Sequence, residues 1–212
     1  MPQEHEKLLG CQISSNFTWN EHLKDNEFSL HRQITSRINA LRKISYAASF
    51  KTRKMIADGI VISRIIYVIQ IWGGTSDYLL KMLQILQNKA ARFVTRLDIF
   101  TSQKMLLLQC GWLSVRQLVE YHSLVMIFKT KTEHKPVFLH KAISRIFNYR
   151  TRAYSTGSLV LNQAISGDIS KDSFLARSTK MWNTLPPHIK QAENLRKFKW
   201  KLKLWIKNNV AQ

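Results

Sequence analysis

The apolar positions of this chain recur mostly at three- and four-residue steps, the spacing of one side of an α-helix. The clearest stretch is Leu79–Leu97, where Leu79, Met82, Leu83, Leu86, Ala90, Phe93, Val94 and Leu97 share a face. Upstream, Leu30, Ile34, Ile38, Leu41 and Ala48 give a helical face between Glu21 and Ala48. The most apolar run, Ile56–Trp72, predicts a buried helix stopped by Gly73-Gly74. Thr101 or Ser102 suits the cap of a short helix through Cys110, ended by Gly111. Ser114 and Gln117 have capping-box spacing ahead of a helix carrying Leu118, Tyr121, His122, Val125 and Phe128. Pro136 fits the first turn of a further short helix to about Ile146. Asp172 or Ser173 predicts the cap of a helix with Phe174, Ser178, Met181 and Trp182, ended by Pro186-Pro187. A last helix, Asn194–Asn208, puts Leu195, Phe198, Leu202, Trp205 and Ile206 on one side. Its other side is lysine-rich, with Trp200 and Leu204 among the cations.

Two stretches break this pattern. Lys7–Ser14 has the two-residue alternation of a strand, followed by the turn signal Ser14-Ser15-Asn16. A single strand needs a sheet to pair with, so the pattern predicts a chain that begins within a larger fold. Phe147–Ser170 is the least periodic stretch and reads as a linker or extended arm, with a short strand at Ser158–Leu161. The expected fold is mainly α: a helical bundle with a short N-terminal β-strand or hairpin remnant and a helical C-terminal extension. Residues 1–20 form the strand remnant, 21–132 a helical domain, 133–172 a short helix and linker, and 173–212 a basic helical extension.

Charge changes the picture more than length or hydrophobicity does. Across 212 residues Lys and Arg number 33 against 13 Asp and Glu, a formal charge of +20. After Glu133 the acids are Asp168, Asp172 and Glu193. Such a chain repels itself until it meets a polyanion, and nucleic acid ranks first, an anionic membrane second. The start of the chain is too polar for a signal peptide. The apolar run Ile56–Trp72 is interrupted by Asp58, Arg64 and Gln70, and its uncharged part is well short of the ~20 residues that cross a bilayer. An intracellular protein of the nucleus or cytoplasm is expected, with no transmembrane segment. The lone cysteines Cys11 and Cys110 fit a reducing compartment, and Cys110 reads as buried and inert. No metal-ligand spacing, P-loop or Gly-x-Gly-x-x-Gly loop appears. Two-metal polymerases and nucleases need clustered carboxylates, whereas Asp58, Asp77 and Asp98 stand apart. Independent catalysis is not expected, nor is a bound cofactor.

Binding is better supported. Phosphate recognition needs Lys and Arg presented together on a rigid element. Opposite the apolar face of Leu79–Leu97 lie Lys81, Asn88, Lys89, Arg92 and Arg96, with no acid among them. Soluble helix faces usually mix signs. Arg64, Arg116, Arg150, Arg152 and Arg177 add to the stripe, as do Lys199 and Lys203 of the last helix. Trp200 among lysines suits either base stacking or a second packing surface.

The ordered motifs also resemble a known family. KLLGCQISSNFTWNEHL (Lys7–Leu23) is similar to the Lys-aromatic-Leu-Gly-Val…Leu-x-Trp-x-x-His segment that follows the catalytic motif in reverse transcriptases of non-LTR (LINE-type) retrotransposons of the jockey-like group. GIVISRIIYVIQIWGG (Gly59–Gly74) resembles the family's Ser-Arg-Leu-x-Tyr-Gly…Trp-Gly helix. LQNKAARFVT (Leu86–Thr95) resembles its Leu-Gln-Asn-x-Ala-x-Arg stretch, and LLQCGWLSVRQLVEYHSLVMIFK (Leu107–Lys129) its Leu-Gly-Trp-Leu-x-Val segment. SFLARSTKMWNTLPPHIK (Ser173–Lys190), followed by Phe198–Ile206, resembles its Arg…Trp-Asn-x-Leu-Pro ending. Leu8 replaces the usual aromatic, and Val68 replaces the glycine after Tyr67.

The resemblance implies that Lys7–Gly10 is the last palm strand near the primer grip, which adds Lys7 and Gly10 to the contact residues. It implies that Glu21 to about Lys131 is a helical thumb holding template–primer RNA, DNA or hybrid by its backbone, and that the remainder is a C-terminal extension. Fingers, paired catalytic aspartates and the Mg²⁺ they hold belong to an N-terminal polymerase part that this chain would need as its partner. On this expectation the chain is a truncated copy or fragmentary gene model. Two other readings fit the same composition: a basic helical module that docks an acidic protein, and a relic without function.

Overall fold

The alternation at Lys7–Ser14 folds back on itself. Strands β1 (His5–Leu8) and β2 (Cys11–Ser14) form an antiparallel hairpin in which Leu8 pairs with Cys11 and His5 with Ser14. The two residues between them both take positive φ, 47° at Leu9 and 82° at Gly10. Such a turn matches the twist of the strands, and glycine supplies half of it without strain. In the computed structural model the described residues are 5–15, 18–43, 48–144, 159 and 173–209, and apart from this hairpin their regular structure is helical.

The chain divides into two compact units, Met1–Arg116 and Gln117–Gln212. In the first, a π-helical turn (Glu21–Asp25) leads to α1 (Leu30–Lys43). The Asn26 side chain accepts from Phe28 N at 2.8 Å, a local turn that separates the two helical pieces. Leu30, Ile34, Ile38 and Leu41 are buried along α1, as their spacing predicts. Next, α2 (Phe50–Ala57) runs into a π-helical turn (Asp58–Ile62), then α3 (Ser63–Ile66) and α4 (Ile69–Trp72).

The expected single helix over Ile56–Trp72 is therefore broken. Tyr67 is extended and Val68 is left-handed at φ 44°. The run is dense in β-branched Ile and Val, which weakens its helix propensity. The carbonyl freed at Tyr67 accepts the Trp72 indole N–H at 3.0 Å, and Trp72 is fully buried.

Helix α5 (Asp77–Thr95) packs against α1, α2 and α6 (Gln103–Cys110). Its buried surface is wider than the apolar stripe, because Leu80, Gln87 and Ala91 are buried as well. The helix ends at Thr95, before Leu97, with Arg96 as its left-handed cap at φ 61°. Gln87 Nε2 donates to Leu113 O at 2.9 Å, and Gln84 Oε1 accepts from Val115 N at 2.8 Å, which ties α5 to the segment after α6. Ser102 and Gly111 cap α6 at its two ends.

In the second unit, α7 (Val115–Glu133) enters from the first and is followed by α8 (Val137–Ser144), α9 (Phe174–Thr184), α10 (Pro187–Lys190) and α11 (Leu195–Asn208). Ser173 caps α9 and Asn194 caps α11. Phe198 stacks on Phe128 at 4.1 Å between ring centroids and lies 6.0 Å from Trp182. These rings, with Leu185, Ile189, Leu202 and Ile206, are buried. Leu159, the one described residue of the expected arm, is buried; its N–H and C=O both bind the Asn183 side chain at 2.7 Å. The remainder of that arm lies outside the described residues.

Candidate nucleic-acid interface

The polar candidates on and just after α5 separate into two kinds. Lys81, Lys89 and Arg96 are exposed. Asn88 and Arg92 are half-buried and engaged: Asn88 bonds Gln84 and Gln103, and Arg92 donates to Ile99 O at 3.0 Å. The Nε of Arg92 is buried without a partner among the described residues. Helical spacing places Asp77, Tyr78, Lys81, Ile85 and Lys89 on one outward stripe, whose acid, Asp77, is paired with Arg116. At 1.5 Å per residue, Lys81 and Lys89 stand about 12 Å apart along the axis, three to four phosphate steps of one strand.

Other elements bring further cations to this unit's surface. Lys24, from the π-helical turn, lies over the exposed Tyr78 ring at 5.1 Å. His31 of α1 is held below its ordinary range, first by burial and then by the charges of Lys89, Arg32 and Lys24. Those three cations reach it from α5, from α1 itself and from the turn. A shallow concavity of about 570 Å³ runs along the outer side of α1, lined by His31, Arg32, Thr35, Ser36, Asn39 and Lys43. The Thr35 hydroxyl there is buried with no partner among the described residues. On α3, Arg64 is exposed; burial first, and then the Arg64 charge, lower Arg37, whose guanidinium donates to Ile60 O. Arg96 acts on Arg53 in the same way. Like charges thus neighbour one another at Arg37–Arg64 and Arg53–Arg96, with burial the larger influence on each lowered group.

The remaining candidates are placed as follows. Lys7 is exposed, with its ammonium 5.8 Å from the Phe28 ring. Gly10 forms the hairpin turn, and Leu9 O beside it accepts from Tyr67 Oη at 2.7 Å. Arg116 is exposed but paired with Asp77. In the second unit, Arg177 and Lys199 are half-buried and Lys203 is exposed. Arg150 and Arg152 lie outside the described residues.

Sequence periodicity missed His31, Lys24 and Arg53. The first two come together only through the packing of α1 and the turn against α5. Arg53 stands in sequence between Lys51 and Lys54, yet it is 5% exposed.

Among the described residues no three His, Cys, Asp or Glu side chains converge as metal ligands, and no helix is long and apolar enough to cross a membrane. Both cysteines are free and buried. Burial pushes the Cys110 thiol up to about 11, so it is protonated at neutral pH.

A pH dependence follows from the histidines. Burial lowers His22, His31 and His122 below their ordinary range, and His22 Nδ1 accepts from Gln12 N at 3.5 Å. A histidine lowered by folding stabilises the fold above its unfolded value, about 6.5, and loses that contribution as pH falls through the folded value. The melting temperature is therefore expected a few degrees lower at about pH 5.5 than at about 7.5. Thermal melts followed by circular dichroism at constant ionic strength check this. The Glu120 carboxyl, raised by burial, has the opposite sign but acts below its own raised value.

Searches against protein-family models, curated proteins and solved structures find no match to this chain.

Proposed function

We propose that this chain supplies the thumb and C-terminal region of a non-LTR retrotransposon RNA-directed DNA polymerase and holds a template–primer duplex by its phosphate backbone. The observation that carries the proposal is the exposed Lys81–Lys89 stripe of α5, whose acid Asp77 is already paired with Arg116, beside the cations of α1, α3 and the π-helical turn. A rigid helix bearing Lys81 and Lys89 positions charge against phosphates without reading bases.

The resembling motifs support the reading because they hold one another in place. Tyr67, from the Ser-Arg-x-x-Tyr stretch, donates to Leu9 of the Leu-Gly turn. Gln87, from the Leu-Gln-Asn stretch, donates to Leu113 of the Gly-Trp-Leu segment. Val68 stands where the family pattern has glycine, and its backbone is left-handed, the conformation glycine takes freely. Mg²⁺ chemistry needs clustered carboxylates, and the sequence has no adjacent pair of aspartates. The proposal assigns this chain no catalytic step.

The test is the salt dependence of binding to an RNA–DNA heteroduplex. If Arg64, Lys81, Lys89 and Arg96 each neutralise a phosphate, the slope of log K against log salt is about −3.6, and a fourfold rise in salt weakens binding ~100-fold. Lys81→Gln with Lys89→Gln should reduce the slope by about two, with the fold intact. Arg92 is the wrong residue for this test, because its loss also frees Ile99 O. A salt-insensitive affinity, or no binding at low salt, overturns the proposal.

One observation favours docking of an acidic protein instead. Ile99, Phe100, Met105 and Leu108 are exposed near Lys104, and Phe100 is 89% exposed. Competition separates the two readings: excess heteroduplex displaces an acidic partner from the α5 surface and leaves one bound at Phe100 in place.

A further inference from the structure

Helix α11 carries two unlike faces. Phe198, Leu202 and Ile206 enter the buried interior of the second unit. On the opposite side stand Arg196, Trp200, Lys203 and Lys207, all exposed, with Leu204 at the margin. Trp200 is 66% exposed, whereas Trp72 and Trp182 are fully buried and Trp112 nearly so. The nearest acid in sequence, Glu193, is paired with Lys197 to one side of the stripe. Lys201 is also turned away, donating to His188 O at 3.1 Å.

An exposed indole with no described aromatic neighbour offers a flat π surface, and the spacing around it is regular. Along the axis Arg196 lies about 6 Å before Trp200, Lys203 about 4.5 Å after it and Lys207 about 6 Å further. An aromatic platform with a cation about one turn away on each side suits a strand whose base is unpaired. A duplex encloses the faces of its bases and gives such a ring nothing to stack on. A bilayer would need an apolar stripe, but the apolar side of α11 is already buried, leaving Trp200 and Leu204 among cations.

We infer that the Arg196–Trp200–Lys203–Lys207 face of α11 binds single-stranded nucleic acid, with an unpaired base stacked on Trp200 and the flanking phosphates on the cations. This extends the nucleic-acid reading, but it uses a different unit and a different ligand from the duplex surface of α5, so either can fail alone.

The experiment measures binding of the full chain to a fluorescent oligothymidylate by anisotropy. Trp200→Ala is expected to weaken it roughly 5- to 100-fold, the usual effect of removing a stacking aromatic. Trp200→Phe should keep most of the affinity, and Lys203→Gln should lower the salt slope by about one. Heteroduplex affinity should be unchanged in Trp200→Ala, which keeps this outcome distinct from failure of the α5 site. Because Trp200 is exposed, the melting temperature of each variant should stay near that of the parent. Three results overturn the inference: no oligothymidylate binding at low salt, an affinity indifferent to Trp200→Ala, or a loss in Trp200→Phe as large as in Trp200→Ala. Binding to phosphatidylserine vesicles that depends on Trp200, with none to oligothymidylate, also overturns it in favour of a membrane surface.

Discussion

Arg53→Met is expected to destabilise the first unit by about 3 kcal/mol, lowering its urea midpoint at unchanged slope. Arg53 is 5% exposed and has no carboxylate partner among its described bonds. Its Nε donates to Val94 O at 3.0 Å, and one terminal nitrogen donates to Ala48 O. Val94 lies in the last turn of α5, where carbonyls lack partners within the helix and carry the negative end of its dipole. Ala48 lies just before Ser49, the cap of α2. The guanidinium thus joins the end of one helix to the start of another. Methionine retains much of the stem volume but no donor. The buried Val94 carbonyl then loses its hydrogen bond, at roughly 1–3 kcal/mol, and the part-buried Ala48 carbonyl loses its own at the lower end of that range. The relief of a buried charge beside Arg96 offsets part of that cost. Arg53→Lys should fall between the two, because an ammonium lacks the fork that reaches both carbonyls. An unchanged midpoint in Arg53→Met would mean that desolvation of the cation cancels its bonds.

Phe198→Ala should cost the second unit about 4 kcal/mol. The ring is fully buried, stacked on Phe128 with an interplanar angle of 14° and flanked by Trp182. Truncation removes a large apolar surface and leaves a cavity between two aromatic rings that cannot both collapse into it. Phe198→Leu should cost well under half as much, since it keeps most of the volume and loses chiefly the stacking. Lys131 lies over the Trp182 ring at 4.7 Å, so displacement of Trp182 should also be visible as changed near-ultraviolet dichroism. Urea titration of the three proteins checks the order. Equal stabilities of Phe198→Ala and the parent would remove this ring stack from the core.

Helix faces were legible in the sequence because burial follows the 3.6-residue period. Leu30, Ile34, Ile38 and Leu41 are buried as spaced, and so are Phe198, Leu202 and Ile206. Caps were legible to within two positions from their short polar side chains: of Thr101 or Ser102 the cap is Ser102, and of Asp172 or Ser173 it is Ser173. Features set by backbone conformation were not. A hairpin turn made of Leu9 and Gly10 lacks the Asn-Gly signal, and a left-handed Val68 contradicts its β-branched side chain. The candidate site was legible as charge and sign, but not as exposure. Lys89 and Arg92 sit on neighbouring turns of α5 and look alike in sequence. One faces water, while the other is half-buried and tethers the loop at Ile99. Which of them is held depends on a partner some residues away, and periodicity does not encode that.

Arg37 beside Arg64 and Arg53 beside Arg96 are cations lowered first by burial and then by a neighbouring like charge, so salt bears on folding. Repulsion stored in the free chain is released by whatever neutralises it. Added salt does this diffusely and a phosphate backbone does it locally, so the two act as rivals for one reservoir of free energy. Salt should therefore firm the isolated chain and, under the proposed function, loosen its hold on a strand. On the same proposal, a bound strand serves as the counter-charge that the sequence itself does not encode.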